Sequence, residues 1–154
     1  MQTFCEDTFE FKTLVDPVAT YQFKEIPESP TLRIVPGRPV RAVCVTPSQV
    51  RVNESFVYHL KLEDTWGNPI DKPTEMWHLG FPSAGVNTIV AKDGKTELSS
   101  RSNPIEVTSN KVSLHPYWGD FHGQSEETID TNTIEDYLTF ARDYALLDIC
   151  AHQG

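Results

Sequence analysis

The stretch HPYWGDFHGQSEE, residues 115–127, gathers the residue types that carry acid–base and metal chemistry: two histidines, an aspartate and two glutamates within thirteen positions. If residues 118–124 are extended, Trp118, Asp120, His122 and Gln124 project from one face, because side chains alternate along a strand. A carboxylate and an imidazole two residues apart can reach a common metal ion, or one can orient the other. Gly123 lets the backbone turn or approach a ligand closely. His115 stands an odd number of positions from His122 and falls on the opposite face of an unbroken strand. The plainer alternative is that Asp120 and His122 cap a strand end and bond to nearby backbone, with SEETID a solvated acidic loop.

Positioning such a pair requires a scaffold, and the chain has the means to build one. A length of 154 residues with 38 % hydrophobic and 23 % charged content suits a folded, water-exposed protein rather than a disordered one. The net charge of −9 and the lack of a basic run disfavour nucleic acid and anionic membranes, which need dense Lys and Arg. No apolar run reaches the roughly 18 residues needed to span a bilayer. MQTFCEDTFEFK lacks the basic and apolar regions of a signal peptide, and the compartment stays open. Cys5, Cys44 and Cys150 have no CxxC spacing, so neither a disulfide framework nor a structural zinc site is expected.

Three segments follow along the chain. Residues 1–36 read as an extended arm: TFEFKTLV places Phe9 and Phe11 on one side of a strand, and Pro17, Pro27, Pro30 and Pro36 forbid long helices. Residues 37–110 carry the strongest β-signal. In SFVYHLKLED, Phe56, Tyr58, Leu60 and Leu62 point one way, while Val57, His59, Lys61 and Glu63 point to a wet face. DTWGNP closes that strand with turn formers. EMWHLGF, VNTIVA, KTELSS and PIEVTSN follow at short spacing, which predicts an antiparallel β-sandwich. The segment resembles bacterial immunoglobulin-like modules, in which a strand ending in Asp-x-x-Gly-Asn-Pro is frequent.

Residues 111–154 change character. KVSLHPYWGDFHG predicts one more strand, broken at Pro116. TIEDYLTFARDYALLDICAH then predicts a helix over 133–146, with Ile134, Tyr137, Leu138, Ala141, Tyr144 and Ala145 in a stripe down one face. Thr133 and Asp136 have the form of a capping box. ALLDICA switches to a short apolar run, as a buried parallel strand would. The tail is therefore expected to be a β-α-β unit, and the whole chain mainly β.

YWGDFHGQSEETIDTNTIEDYLTFARDYALLDICAHQG resembles the opening of a polymerase-and-histidinol-phosphatase (PHP) domain. It is similar to long bacterial proteins in which Trp-Gly-Asp-x-His-Gly-Gln begins a PHP-like domain after a β-rich N-terminal region. The resemblance implies the first β-α-β unit of a distorted βα barrel, with metals at the C-terminal ends of its strands and metal-dependent phosphoester hydrolysis in the intact protein. His122 matches the first histidine of the family's His-x-His motif, and Gln124 stands where the second is expected. Ala151-His152 stands at the family's Asp-His motif, so the histidine is kept and the aspartate is missing. A neutral amide is a poorer transition-metal ligand than imidazole.

The implied ligands are His122, Asp120, Gln124 and His152, for a divalent Zn, Mn or Fe ion bound in the parent protein and at most weakly in this chain. The implied partners are the remainder of the parent chain and a second copy, through the uncovered helix 133–146. The expectation is a truncated, incomplete PHP-like domain, inactive alone. The competing expectation is a β-sandwich interaction module with no catalytic role.

Overall fold

The computed structural model describes residues 3–110, 114–127 and 132–153. It divides into two compact units, Met1–Pro36 and Gly37–Gly154. In the first unit, β1 (Glu6–Glu10) pairs antiparallel with β4 (Thr31–Ile34), and β2 (Leu14–Val15) with β3 (Lys24–Glu25). Phe9 and Phe11 do share a side, with ring centroids 5.1 Å apart. No side chain among residues 3–36 is buried, so this unit holds together by pairing and turns rather than by a core.

The second unit is built on β7 (Phe56–Glu63), the longest strand, flanked antiparallel by β5 (Arg41–Val45) and β8 (Thr74–His78). A second three-stranded sheet sets β12 (Ile105–Thr108) between β6 (Gln49–Arg51) and β9 (Gly85–Asn87). β10 (Val90–Lys92) and β11 (Ser99–Arg101) form an antiparallel pair. The expected antiparallel pattern has one exception: β6 runs parallel to β12. The fold is mainly β, and among the described residues no sheet closes into a barrel. Among those residues no helix is long and apolar enough to cross a membrane.

Alternation on β7 explains the core. Phe56 joins Val50, Ile105 and Val107 in one buried cluster; Leu60 joins Cys44 and Ala91 in another. Tyr58 and Ile89 are half-buried and touch both clusters, so the faces of the sheets meet in a continuous apolar layer. Leu62 is only half-buried.

The other face of β7 is not the wet face that alternation predicts. Glu63 is buried and paired with Arg41 and Lys61. Lys61 is largely covered as well, because its ammonium also donates to the Tyr144 carbonyl at 3.2 Å. The C-terminal segment lies there, held further by Lys72 on Asp143 at 2.8 Å. An alternating pattern shows which residues face a core, but not what later covers the opposite side.

The DTWGNP turn is a buried polar knot. Asp64 accepts hydrogen bonds from the backbone N–H groups of Gly37, Trp66 and Asn68 and from the Asn68 amide, all at 2.8–3.0 Å. Burial alone would raise its pKa, but these donors outweigh that and hold the carboxyl well below the ordinary range.

Candidate functional site

The tail forms the expected strand–helix–strand unit. β13 (Gly119–Gly123) and β14 (Ile149–His152) pair in parallel, with Gly119 opposite Ile149, Asp120 opposite Cys150 and Gly123 opposite His152. Parallel neighbours need a crossover connection, and the helix supplies it. α1 (Ile134–Phe140) opens on a complete capping box: the Thr133 hydroxyl accepts from the Asp136 N–H at 3.1 Å, and the Asp136 carboxylate accepts from the Thr133 backbone. A wider π-helical turn (Ala141–Ala145) continues it and ends at Leu146 in the left-handed conformation. Of the predicted stripe, Ala141 is buried and Ile134, Tyr137, Tyr144 and Ala145 are half-buried, but Leu138 is exposed.

Trp118 anchors the unit. Its backbone N–H donates to the Asp148 carboxylate at 2.9 Å, and its indole N–H donates to the Ser48 hydroxyl at 2.7 Å, which ties the tail to the β-sheet region. The expected strand through residues 111–118 is not found in this form. Residues 111–113 lie outside those described, and residues 114–118 are irregular before β13 begins at Gly119.

The shared face of Trp118, Asp120, His122 and Gln124 is interrupted for a local reason. The register of β13 shifts between Asp120 and Gly123, so strict alternation fails there. Asp120 is half-buried, His122 is exposed, Gly123 is buried, and Gln124 is half-buried just beyond the strand. Asp120 folds back on its own strand, accepting from the His122 backbone N–H at 2.8 Å. Its other oxygen accepts from the Tyr137 hydroxyl at 3.3 Å. Burial, aided by the Asp120 charge, raises the Tyr137 pKa and keeps this phenol a donor.

His152, opposite Gly123, places Nε2 2.9 Å from the Ser125 hydroxyl, and Ser125 is fully buried. The His152 ring meets the Tyr137 ring edge-on, with centroids 6.4 Å apart. The structure therefore gathers Asp120, Tyr137, His152 and Ser125 near the carboxyl ends of two parallel strands. Tyr137 and Ser125 were not singled out by residue type. Tyr137 read as one member of an apolar stripe, and Ser125 as part of a polar loop. No residue-type signal marks Tyr137; its seat against Gly123, where a Cβ would overlap its ring, is visible only in the fold.

The four expected ligands do not converge as they stand. Among the described residues, no three His, Cys, Asp or Glu side chains are grouped so as to hold a metal ion. Each Asp120 oxygen accepts a hydrogen bond, His152 Nε2 is engaged with Ser125, and His122 is exposed. The arrangement does not fit a bound divalent ion without a rearrangement of Asp120 and His122.

A separate groove of about 350 Å³ runs between the β5–β6 turn and the tail, lined by Gln49, His59, His115, Tyr117, Trp118 and Asp148 among others. His59 lies 3.8 Å from the exposed Glu75 carboxylate. Neither Asp120, His122 nor His152 lines that groove.

No protein-family model matches this chain, and no curated protein or solved structure matches it either.

Proposed function

We propose that this chain is the N-terminal part of a PHP-like metal-dependent hydrolase of the phosphoesterase type, not catalytically competent alone. In this reading residues 37–110 are an immunoglobulin-like sandwich and residues 111–154 the first β-α-β unit of the βα barrel. One observation carries it. β13 and β14 are parallel neighbours joined through a helix, and Asp120, His122 and His152 stand on them, the two histidines at their carboxyl ends. Open α/β sheets and βα barrels put their ligands at that end.

A two-stranded parallel pair is a poor end state, because such sheets are normally covered on both faces. Here Phe121, Ile149, Leu138 and Phe140 are exposed on the pair and its helix. Their partners in this reading are further barrel strands of a longer parent chain, or a second copy meeting helix 133–146. Asp120, His122 and His152, with Gln124 as a weak donor, would contribute to a divalent metal site that residues from those strands complete. The test is hydrolysis of p-nitrophenyl phosphate with added Mn²⁺, by this chain alone and by the parent. The chain alone is expected to be inactive and the parent active; an inactive parent, folded and supplied with metal, refutes the reading.

A second reading has its own support. Trp77 and Leu79 are exposed on and just beyond the edge strand β8, at 72 % and 88 % of full exposure. An apolar edge of this kind suits a β-sandwich interaction module that binds by strand addition.

A further inference from the structure

We propose that the groove between the β5–β6 turn and the tail is a binding site for a neutral saccharide. The inference does not rest on the hydrolase reading, because Asp120, His122 and His152 stand outside that groove.

A sugar ring presents two chemistries: apolar C–H faces, and a rim of hydroxyls that both give and accept hydrogen bonds. The groove meets the first with aromatic surface. Tyr117 and Trp118 line it and are 67 % and 62 % exposed, so much of each ring is left uncovered. Trp118 is a fixed platform. Its backbone N–H donates to the Asp148 carboxylate at 2.9 Å, and its carbonyl accepts from the Asp148 N–H at 2.9 Å. Its indole N–H is already given to the Ser48 hydroxyl at 2.7 Å. With that polar atom engaged, the rest of the ring is hydrocarbon surface, the kind that packs on the C–H face of a sugar. A ring held before the ligand arrives loses little freedom on binding.

The polar lining meets the second chemistry. Among the described residues, the Tyr117 hydroxyl and the exposed His115 ring have no hydrogen-bond partner, and one Asp148 oxygen is likewise uncommitted. A phenol and an imidazole donate and accept, and a carboxylate accepts, which is the mixture a hydroxyl rim needs. His59 lies 3.8 Å from Glu75 and is not among these contacts. Charge decides against other small ligands. Among the described residues no Lys or Arg lines the groove, so a phosphate or carboxylate would meet only the Asp148 charge. An organic cation would find a single carboxylate that already holds the Trp118 N–H. The volume of about 350 Å³ falls within the range of small-molecule sites.

The experiment titrates the full 154-residue chain with cellobiose, maltose and N,N′-diacetylchitobiose, read by calorimetry and saturation-transfer NMR. At least one is expected to bind with a Kd of about 1 mM or tighter, and glucose 6-phosphate and tetramethylammonium about tenfold more weakly or not at all. Tyr117→Ala and His115→Ala should each weaken the binding by about tenfold. Both residues are exposed, and neither substitution removes a hydrogen bond from the fold. Trp77→Ala, exposed on β8 and outside the groove, should leave binding unchanged. The matching insoluble polymers, cellulose, starch and chitin, separate two sources of the same chemistry. Depletion of the chain onto a polymer assigns a polysaccharide, and binding of a disaccharide alone assigns a free sugar. Absence of binding to all three disaccharides at about 10 mM and to all three polymers overturns the proposal. So does binding that survives Tyr117→Ala combined with His115→Ala, or tighter binding of either charged probe.

Discussion

Replacing Lys61 with alanine should be costly although the residue alternates with the core positions of β7. Its ammonium lies 3.1 Å from the buried Glu63 carboxylate and 3.2 Å from the Tyr144 carbonyl, and only 14 % of the side chain is exposed. The substitution removes a hydrogen bond from a charged donor, worth about 1.5–3 kcal/mol. It does not orphan Glu63, which keeps Arg41 at 2.5 Å, so the roughly 3–5 kcal/mol cost of a buried unpaired charge does not apply. The expected loss is therefore about 1.5–3 kcal/mol. Lys95, which is exposed, serves as the control and should change stability by less than about 0.5 kcal/mol. Urea unfolding followed by tryptophan fluorescence is suitable, because Trp66, Trp77 and Trp118 all lie in the second unit. A Lys61→Ala loss no larger than that of Lys95→Ala would refute the docking of the C-terminal segment on β7.

Three further outcomes are expected. Leu60→Ala, at a 6 % exposed position between Cys44 and Ala91, should cost about 2–5 kcal/mol in the same titration, and Leu62→Ala less. The folded-state pKa of Asp64 lies below its ordinary 3.8, so its contribution is full above about pH 5 and is lost as pH falls through the carboxylate range; Asp64→Asn should flatten that part of the acid-unfolding curve. Sedimentation velocity should show concentration-dependent association, weakened by Leu138→Lys, because Leu138 and Phe140 are 40 % and 47 % exposed on the helix.

Local chemistry made much of this fold legible. The alternation of Phe56, Tyr58 and Leu60 marks the core face of β7, and Thr133 with Asp136 marks the start of α1. The change from helical to apolar run in ALLDICA located β14, ending one residue short of His152 but starting four residues early, at Ala145 rather than Ile149. What stayed hidden depends on distant partners. Glu63 and Lys61 look like surface residues until Arg41 and the Tyr144 carbonyl are brought beside them. The parallel pairing of β6 with β12 joins segments more than fifty residues apart and leaves no mark in either.

The candidate site divides the same way. Asp120, His122, Gln124 and His152 are visible by type, but alternation could not foresee the register shift that turns Asp120 back on the His122 N–H. Nor could a helical stripe show that Tyr137 would spend its hydroxyl on Asp120 rather than its ring on a core.

On the hydrolase reading, the most direct test of the proposed strand-end site is Mn²⁺-dependent phosphoester hydrolysis by the longer protein that this reading implies, carrying His122→Ala or His152→Ala, with His59→Ala as the control in the separate groove. Loss of activity by about a hundredfold or more in the first two, with His59→Ala unchanged, is the predicted result. Full activity in His122→Ala and His152→Ala would contradict it.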